Sequence, residues 1–199
     1  MGAVIQTIKV IRCSGDYRIA MHHGLISFEP ELGPDLRHRI GRALGLAADE
    51  LISDLPVQIV STRHSKVMVP LGDGTDLDGI TPDNKALVKI SSEIGCNGFF
   101  PFLIRRNGAN ATDGRMFAPA IGIDEDPVTG NANGPLGAYL VRYGPMCHDG
   151  RTLKFEGHQE RAMHREGVVH GEVDIEESQP KLVKIQGNAV NLFTVPFDL

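Results

Sequence analysis

Between Gly122 and Leu140 the chain reads GIDEDPVTGNANGPLGAYL: acids, then a glycine-rich run that turns apolar. The run predicts a helix over 131–143, closed by Gly144. Gly130, Gly134 and Gly137 recur at helical spacing and share one face with Ala138. Leu136, Tyr139, Leu140 and Val141 cover much of the rest, and a helix apolar nearly all round is a buried helix. Small residues on one face let neighbouring backbone come close. Pro135 is tolerated only near a first turn, so the helix cannot start much before Asn131.

The loop ahead of the helix admits two readings. In the first, the helix is simply a tightly packed core element. In the second, its N-terminus is an anion site, because free N–H groups and the positive dipole end favour negative charge. Gly130 lets a ligand approach the backbone, and a carboxylate just before the helix can act as a base toward a bound acid. Glu125 and Asp126 are adjacent, so in extended backbone their side chains point opposite ways, and only one faces a ligand. That disfavours a glycosidase-type pair made of these two. Arg115 can pair with one of the nearby acids, and Asp124 is a solvated loop acid. GNANGPLG is neither a dinucleotide-binding GxGxxG nor a P-loop.

The 199 residues suffice for one large domain or two small ones. A net charge of -5 without a Lys/Arg cluster argues against nucleic acid as a partner. The apolar runs are too short to cross a bilayer, and the first residues do not form a signal peptide, so no membrane role is expected. Cys13, Cys96 and Cys147 have no CxxC spacing, which suits reduced thiols in a cytoplasm. Cys96 reads as a small buried hydrophobe. The histidines lack zinc-ligand spacing, so no metal is expected. His64 follows a strand and is either a cleft residue or a surface histidine.

Strands are predicted at 4–13 and 16–21 around a Ser14-Gly15 turn, and at PVQIVST, KVMVPL, NGFFPFLI and GRMFAP. Further strands are predicted at 152–156, 168–175, 181–186 and 188–194. PDLRHRIGRALG and TPDNKALVKISSEIG read as helices, the second capped by Thr81 and stopped by Gly95. Strands and helices mix without a regular βαβ beat, which predicts an α+β fold with mostly antiparallel pairing.

RMFAPAIGIDEDPVTGNANGPLGAYL resembles the signature of the phenazine-biosynthesis PhzF-like isomerases, approximately R-x-F-x-P, then E-D-P-V-T-G-S-A, then a helix. PVQIVSTRHSKVMVPL and IGCNGFFPF are similar to that family too, and the resemblance runs from about Asp16 onward. It implies a diaminopimelate epimerase-like fold, in which each of two lobes wraps antiparallel strands around a central helix and the active site lies between lobes. It implies that residues 131–143 are such a central helix, and that Asp126 is the catalytic acid-base group where cysteine-dependent epimerases carry a thiol. It further implies that Thr129, Gly130 and Asn131 bind a substrate carboxylate, with Glu125 and His64 as further cleft candidates. The activity implied is cofactor-independent proton-transfer isomerisation of a small carboxylic acid.

Three departures qualify the resemblance. Asn131 stands where most members have Ser, which changes the reach of that side chain. GHQERAMHREG lacks glycines that the family tends to have there. The family's first-lobe N-x-S-E-T segment and Gly-His pair have no counterpart, so residues 1–25 are expected to be remnant first-lobe strands, 26–187 the second lobe, and 188–199 a strand returning to the first. The chain by itself is therefore expected to be inactive or a small-anion-binding remnant. Its apolar terminal segments are expected to build a homodimer or to meet a separate first-lobe chain.

Overall fold

The computed structural model describes residues 8–13, 16–106, 109–159, 166–189, 192, 193 and 195. The fold is α+β, as the mixed pattern predicts. Ten strands form one mixed sheet in the order β1-β2-β10-β9-β8-β7-β6-β5-β4-β3. The strands are β1 (Ile8–Cys13), β2 (Asp16–His22), β3 (Ser27–Glu31), β4 (Gln58–Ser61), β5 (Ser65–Pro70), β6 (Phe99–Ile104), β7 (Ala111–Gly114), β8 (Thr152–Gln159), β9 (Gly167–Glu176) and β10 (Gln179–Ala189). The helices are α1 (Pro34–Ala43), α2 (Asn84–Ile94) and α3 (Gly130–Tyr143). Neighbouring strands pair antiparallel except β5 with β6 and β7 with β8. Each parallel pair is joined through a helix, α2 and α3 respectively, because a parallel connection needs a long crossover.

Two apolar cores lie on opposite faces of β4–β6. Alternation assigns the residues: Val60, Met68, Phe100 and Phe102 pack with α3, whereas Ile59, Val67, Val69 and Phe99 pack with Ile40 and Leu44 of α1 and Leu87 and Ile90 of α2. The α3 core continues through Leu153 and Phe155 of β8, Val169 and Val173 of β9, and Val183 and Ile185 of β10. Ala132 through Leu140 are all buried. Burial of Leu136 and Leu140 stabilises by about 1.5–3 kcal/mol each. Tyr139 hydrogen-bonds the Pro56 carbonyl at 2.8 Å and meets Phe102 edge-on at 5.6 Å.

The glycine face of α3 does what small residues permit. A Cβ at Gly137 would lie 2.8 Å from Phe155 and 2.9 Å from Val173. A Cβ at Gly134 would lie 2.6 Å from His23 and 2.7 Å from Thr62. The segment after β2 joins separate parts of the sheet: His23 N–H donates to Val183 O of β10, and Gly24 N–H to Thr62 O beyond β4.

Several expected elements move. Asp83, not Thr81, caps α2, accepting the Ala86 N–H at 3.0 Å, and Gly95 closes the helix in the left-handed region. The expected strand GRMFAP begins earlier, as β7, and continues past Gly114 only through Arg115 and Phe117 backbone bonds to β6. SFEPE, not expected to be a strand, forms β3 at a sheet edge. Residues 181–186 and the start of 188–194 belong to one strand, β10, which pairs with both β9 and β2. The Ser14-Gly15 turn, residues 160–165 of the GHQERAMHREG loop, and residues 190, 191 and 194 lie outside the described residues.

Candidate functional site

The N-terminus of α3 is held by side chains from β8 and from the helix itself. Gln159 Oε1 accepts the Thr129 N–H at 3.1 Å and an Asn133 Nδ2–H at 2.7 Å, and Asn133 also donates to Thr129 O at 2.9 Å. Gly157 makes room for this arrangement, since a Cβ there would fall 1.9 Å from Asn133 Oδ1. The Ala132 and Asn133 amides reach Thr129 O. The Gly130 and Asn131 amides are first-turn donors, which a helix cannot satisfy internally.

Gly130 and Asn131 border a cavity of about 500 Å³. Ile19, Met21 and Ile185 give it an apolar lining from β2 and β10, and Gly187 and Asn188 continue that wall. The remaining lining is His23, Arg63 and His64. No Asp or Glu contributes to it among the described residues.

His23 is 4% exposed. Its Nδ1 lies 3.1 Å from Thr62 Oγ1, while Nε2 is buried without a hydrogen-bond partner. Burial, then the neighbouring His64, lowers its pKa. His64 is also held below its ordinary value, by burial and then by Lys66 and Arg63. Arg63 has a φ of 140°, in the region that favours glycine. Such a conformation costs about 1–3 kcal/mol in a residue with a Cβ. Lys66 is buried and its pKa falls through desolvation, opposed by the charges of Cys96 and Asp126.

The sequence-identified residues separate into groups. Gly130, Asn131 and His64 meet at the cavity. Thr129 is buried and contributes its backbone to the helix cap. Asp126 is half-buried, donates its N–H to Met116 O, and makes no side-chain hydrogen bond or ion pair among the described residues. Its charge reaches Lys66, but it does not line the cavity. Glu125 turns to Arg115, which grips both its oxygens at 2.6 and 2.8 Å. Arg115 is further fixed on the carbonyls of Leu77, Asp78 and Ile80, so Glu125 is structural where it was a cleft candidate. Asp124 is exposed, as expected, and accepts a hydrogen bond from Asn84. Cys96 is buried with its thiol toward Gly98 O. Among the described residues no group of three His, Cys, Asp or Glu side chains could hold a metal ion.

Sequence reading did not identify His23, Arg63 or Gln159. The available signal was an arginine in the short turn between two strands, PVQIVST and KVMVPL, where a residue of positive φ is common.

The profile of the PhzC-PhzF family, described as phenazine biosynthesis-like protein, matches residues 6–195. The chain is 54% identical over 178 residues to the uncharacterized isomerase YddE of Salmonella typhimurium, covering 89% of this chain and 60% of the relative. It is 51% identical over 186 residues to the isomerase of the same name in Escherichia coli, covering 94% and 62%. A solved PhzF-family phenazine biosynthesis protein of Bacillus anthracis superposes with a TM-score of 0.79 at 26% identity, over 94% of this chain and 63% of that one. The chain thus spans about three fifths of the length of these relatives.

Proposed function

This chain belongs to the phenazine biosynthesis-like (PhzC-PhzF) family, whose relatives carry isomerase names, and we propose that it supplies one lobe of an isomerase moving a proton on a small carboxylic acid. In this reading the lobe is diaminopimelate epimerase-like, with α3 as its central helix. The observation that carries it is the α3 N-terminus opening on a cavity that, among the described residues, is lined by cationic and neutral groups but no acid. The substrate carboxylate sits on the Gly130 and Asn131 amides, beside the Thr129 cap. There the helix end stabilises negative charge that spreads into the carboxylate when a neighbouring carbon loses its proton.

Asp126 is the proton carrier. Its carboxylate makes no side-chain hydrogen bond or ion pair among the described residues, and its charge reaches the buried Lys66. Chemistry of this kind uses protein groups alone and requires no cofactor. A second acid-base group on the opposite side of the substrate comes from a first lobe or from a second copy of the chain. The β1 edge suits such a contact: Ile8 is 52% and Val10 58% exposed, and Leu192, Phe193 and Val195 are exposed as well. A homodimer or a two-lobe assembly would cover these side chains. Reduced thiols in a cytoplasm suit the buried Cys96.

A second reading, an anion-binding lobe that does no chemistry, is favoured by the absence of Asp126 from the cavity lining. Solvent-deuterium incorporation into a panel of small carboxylic acids separates the two. The isomerase reading expects incorporation, reduced about 10²–10⁴-fold in Asp126→Asn with acid binding retained. Incorporation that survives Asp126→Asn removes Asp126 from the mechanism. Binding without incorporation by the unsubstituted chain, both alone and combined with a first lobe, establishes the second reading.

A further inference from the structure

Asp124, Glu125 and Asp126 stand together ahead of α3, and two of them hold the loop in place. Asp124 accepts a bond from Asn84 at 2.9 Å, at the exposed rim. Glu125 is tied far more firmly, because its partner Arg115 is itself buried. Arg115 Nε and Nη2 donate to the two Glu125 oxygens at 2.6 and 2.8 Å. Its Nη1 donates to the carbonyls of Leu77, Asp78 and Ile80 at 3.1, 3.2 and 2.8 Å. One planar fork thus joins the 77–80 segment to the acid loop, a task for which a lysine lacks the geometry.

The backbone that carries Arg115 is bonded to β6. Arg115 N–H donates to Pro101 O at 3.0 Å, and Phe99 and Phe117 exchange N–H···O bonds at 2.8 and 3.0 Å. Met116, between Arg115 and Phe117, accepts the Asp126 N–H at 2.9 Å. The side chain before Asp126 and the Asp126 amide are therefore both tied to adjacent residues of one segment. Pro127 follows and disfavours helical backbone at Asp126. The Asp126 carboxylate makes no side-chain hydrogen bond or ion pair among the described residues, so its backbone is fixed and its functional group is not.

We propose that Arg115 is a positioning residue for Asp126, acting through Glu125 to fix the backbone from which the proton-carrying carboxylate projects. This rests on the reading of Asp126 as the proton carrier. A carboxylate that must meet one carbon of a bound acid depends on such fixing, because a misplacement of about 1 Å can cost about 10²-fold in rate. Neither Arg115 nor Glu125 lines the cavity at Gly130 and Asn131, so their action falls on Asp126 and not on acid binding there.

The test is solvent-deuterium incorporation by the full chain combined with a first lobe, read beside amide hydrogen exchange. The variant is Glu125→Gln, which keeps the shape of the side chain and replaces one of its two acceptor oxygens. We expect kcat to fall at least about tenfold with KM unchanged. The Asp126 N–H should exchange faster, while the Phe99 and Phe117 N–H groups keep their rates. An unchanged kcat, a rise in KM with kcat kept, or exchange that quickens equally at Asp126, Phe99 and Phe117 overturns the proposal, since the pair then only holds the fold. If Glu125→Gln does not fold, Arg115→Lys is read in the same way, and failure of both to fold also overturns it. Incorporation that is lost in Asp126→Asn but intact in Glu125→Gln removes the positioning role alone. Incorporation that is absent from the unsubstituted assembly, or that survives Asp126→Asn, removes the proton-carrier reading and the positioning role with it.

Discussion

The two halves of the sheet bury their strands differently. In β4, β5 and β6, side chains on both faces are covered, by α3 on one side and by α1 and α2 on the other. In β8, β9 and β10, only the α3 face is covered. The opposite face carries charge: Lys184 lies 3.0 Å from both Glu172 and Asp174, and Glu156 lies 3.3 Å from His158 and 3.6 Å from His170. The sequences differ accordingly. FFPFLI is an almost unbroken apolar run, while TLKFEGHQ alternates. A strand with water on one side can shift toward a void. A strand held between two layers cannot.

That contrast gives the largest expected effect. Phe102→Ala in β6 should cost about 3–5 kcal/mol, at the upper end of that range, because neither layer can close the cavity. Phe155→Ala in β8 should cost about 1 kcal/mol less, since β8 is open to water on one face and can relax inward. Urea unfolding measures both. Equal losses would mean that the open half is as rigid as the closed one, and the contrast would fail.

The next effect tests the seam between the halves, where His23 joins β10 to the β4–β5 turn. His23 and His64 both titrate lower when folded than the ordinary 6.5. As pH falls below 6.5, the unfolded chain binds protons that these folded histidines resist, so stability present above that value is progressively lost. His23→Gln should flatten this loss by about 1 kcal/mol between roughly pH 7.5 and 5.5. An unchanged slope would show that the seam does not sense protons through His23.

The smallest effect belongs to the open face. Lys184→Ala removes two ion pairs but should cost only about 0.5 kcal/mol, because partly exposed pairs gain little over their solvated partners. A loss above about 2 kcal/mol would show that the charged face holds the open half together.

Legibility in the sequence followed the same division. Unbroken runs and alternating runs both declared strands, and Gly95 and Gly144 marked helix ends. SFEPE declared nothing, because an exposed edge strand has no apolar period to show. The start of α2 was misplaced because Thr81 and Asp83 are both competent caps, and tertiary contacts chose Asp83. At the site, the helix N-terminus was legible from its glycines and from the acids before it. The rest was not: His23 and Arg63 of the cavity wall and Gln159 of the helix cap arrive from segments far apart in the chain, and only the packing of the sheet around α3 brings them together. The Arg115–Glu125 pair was foreseeable because its partners lie close in sequence.

The pairing of β2 with β10 has a consequence for synthesis. Residues 16–22 leave the ribosome long before residues 184–189, their antiparallel neighbours. At about 5–20 residues per second, the early strand waits on the order of ten seconds or more for its partner. Throughout that interval the β1–β2 hairpin carries Ile8, Val10, Ile19 and Met21 with an open edge, and α3, once made, lacks the β10 side of its core. The nascent chain is thus most exposed to aggregation and to chaperones in the interval between these two strands, and the sheet closes around α3 only once β10 emerges.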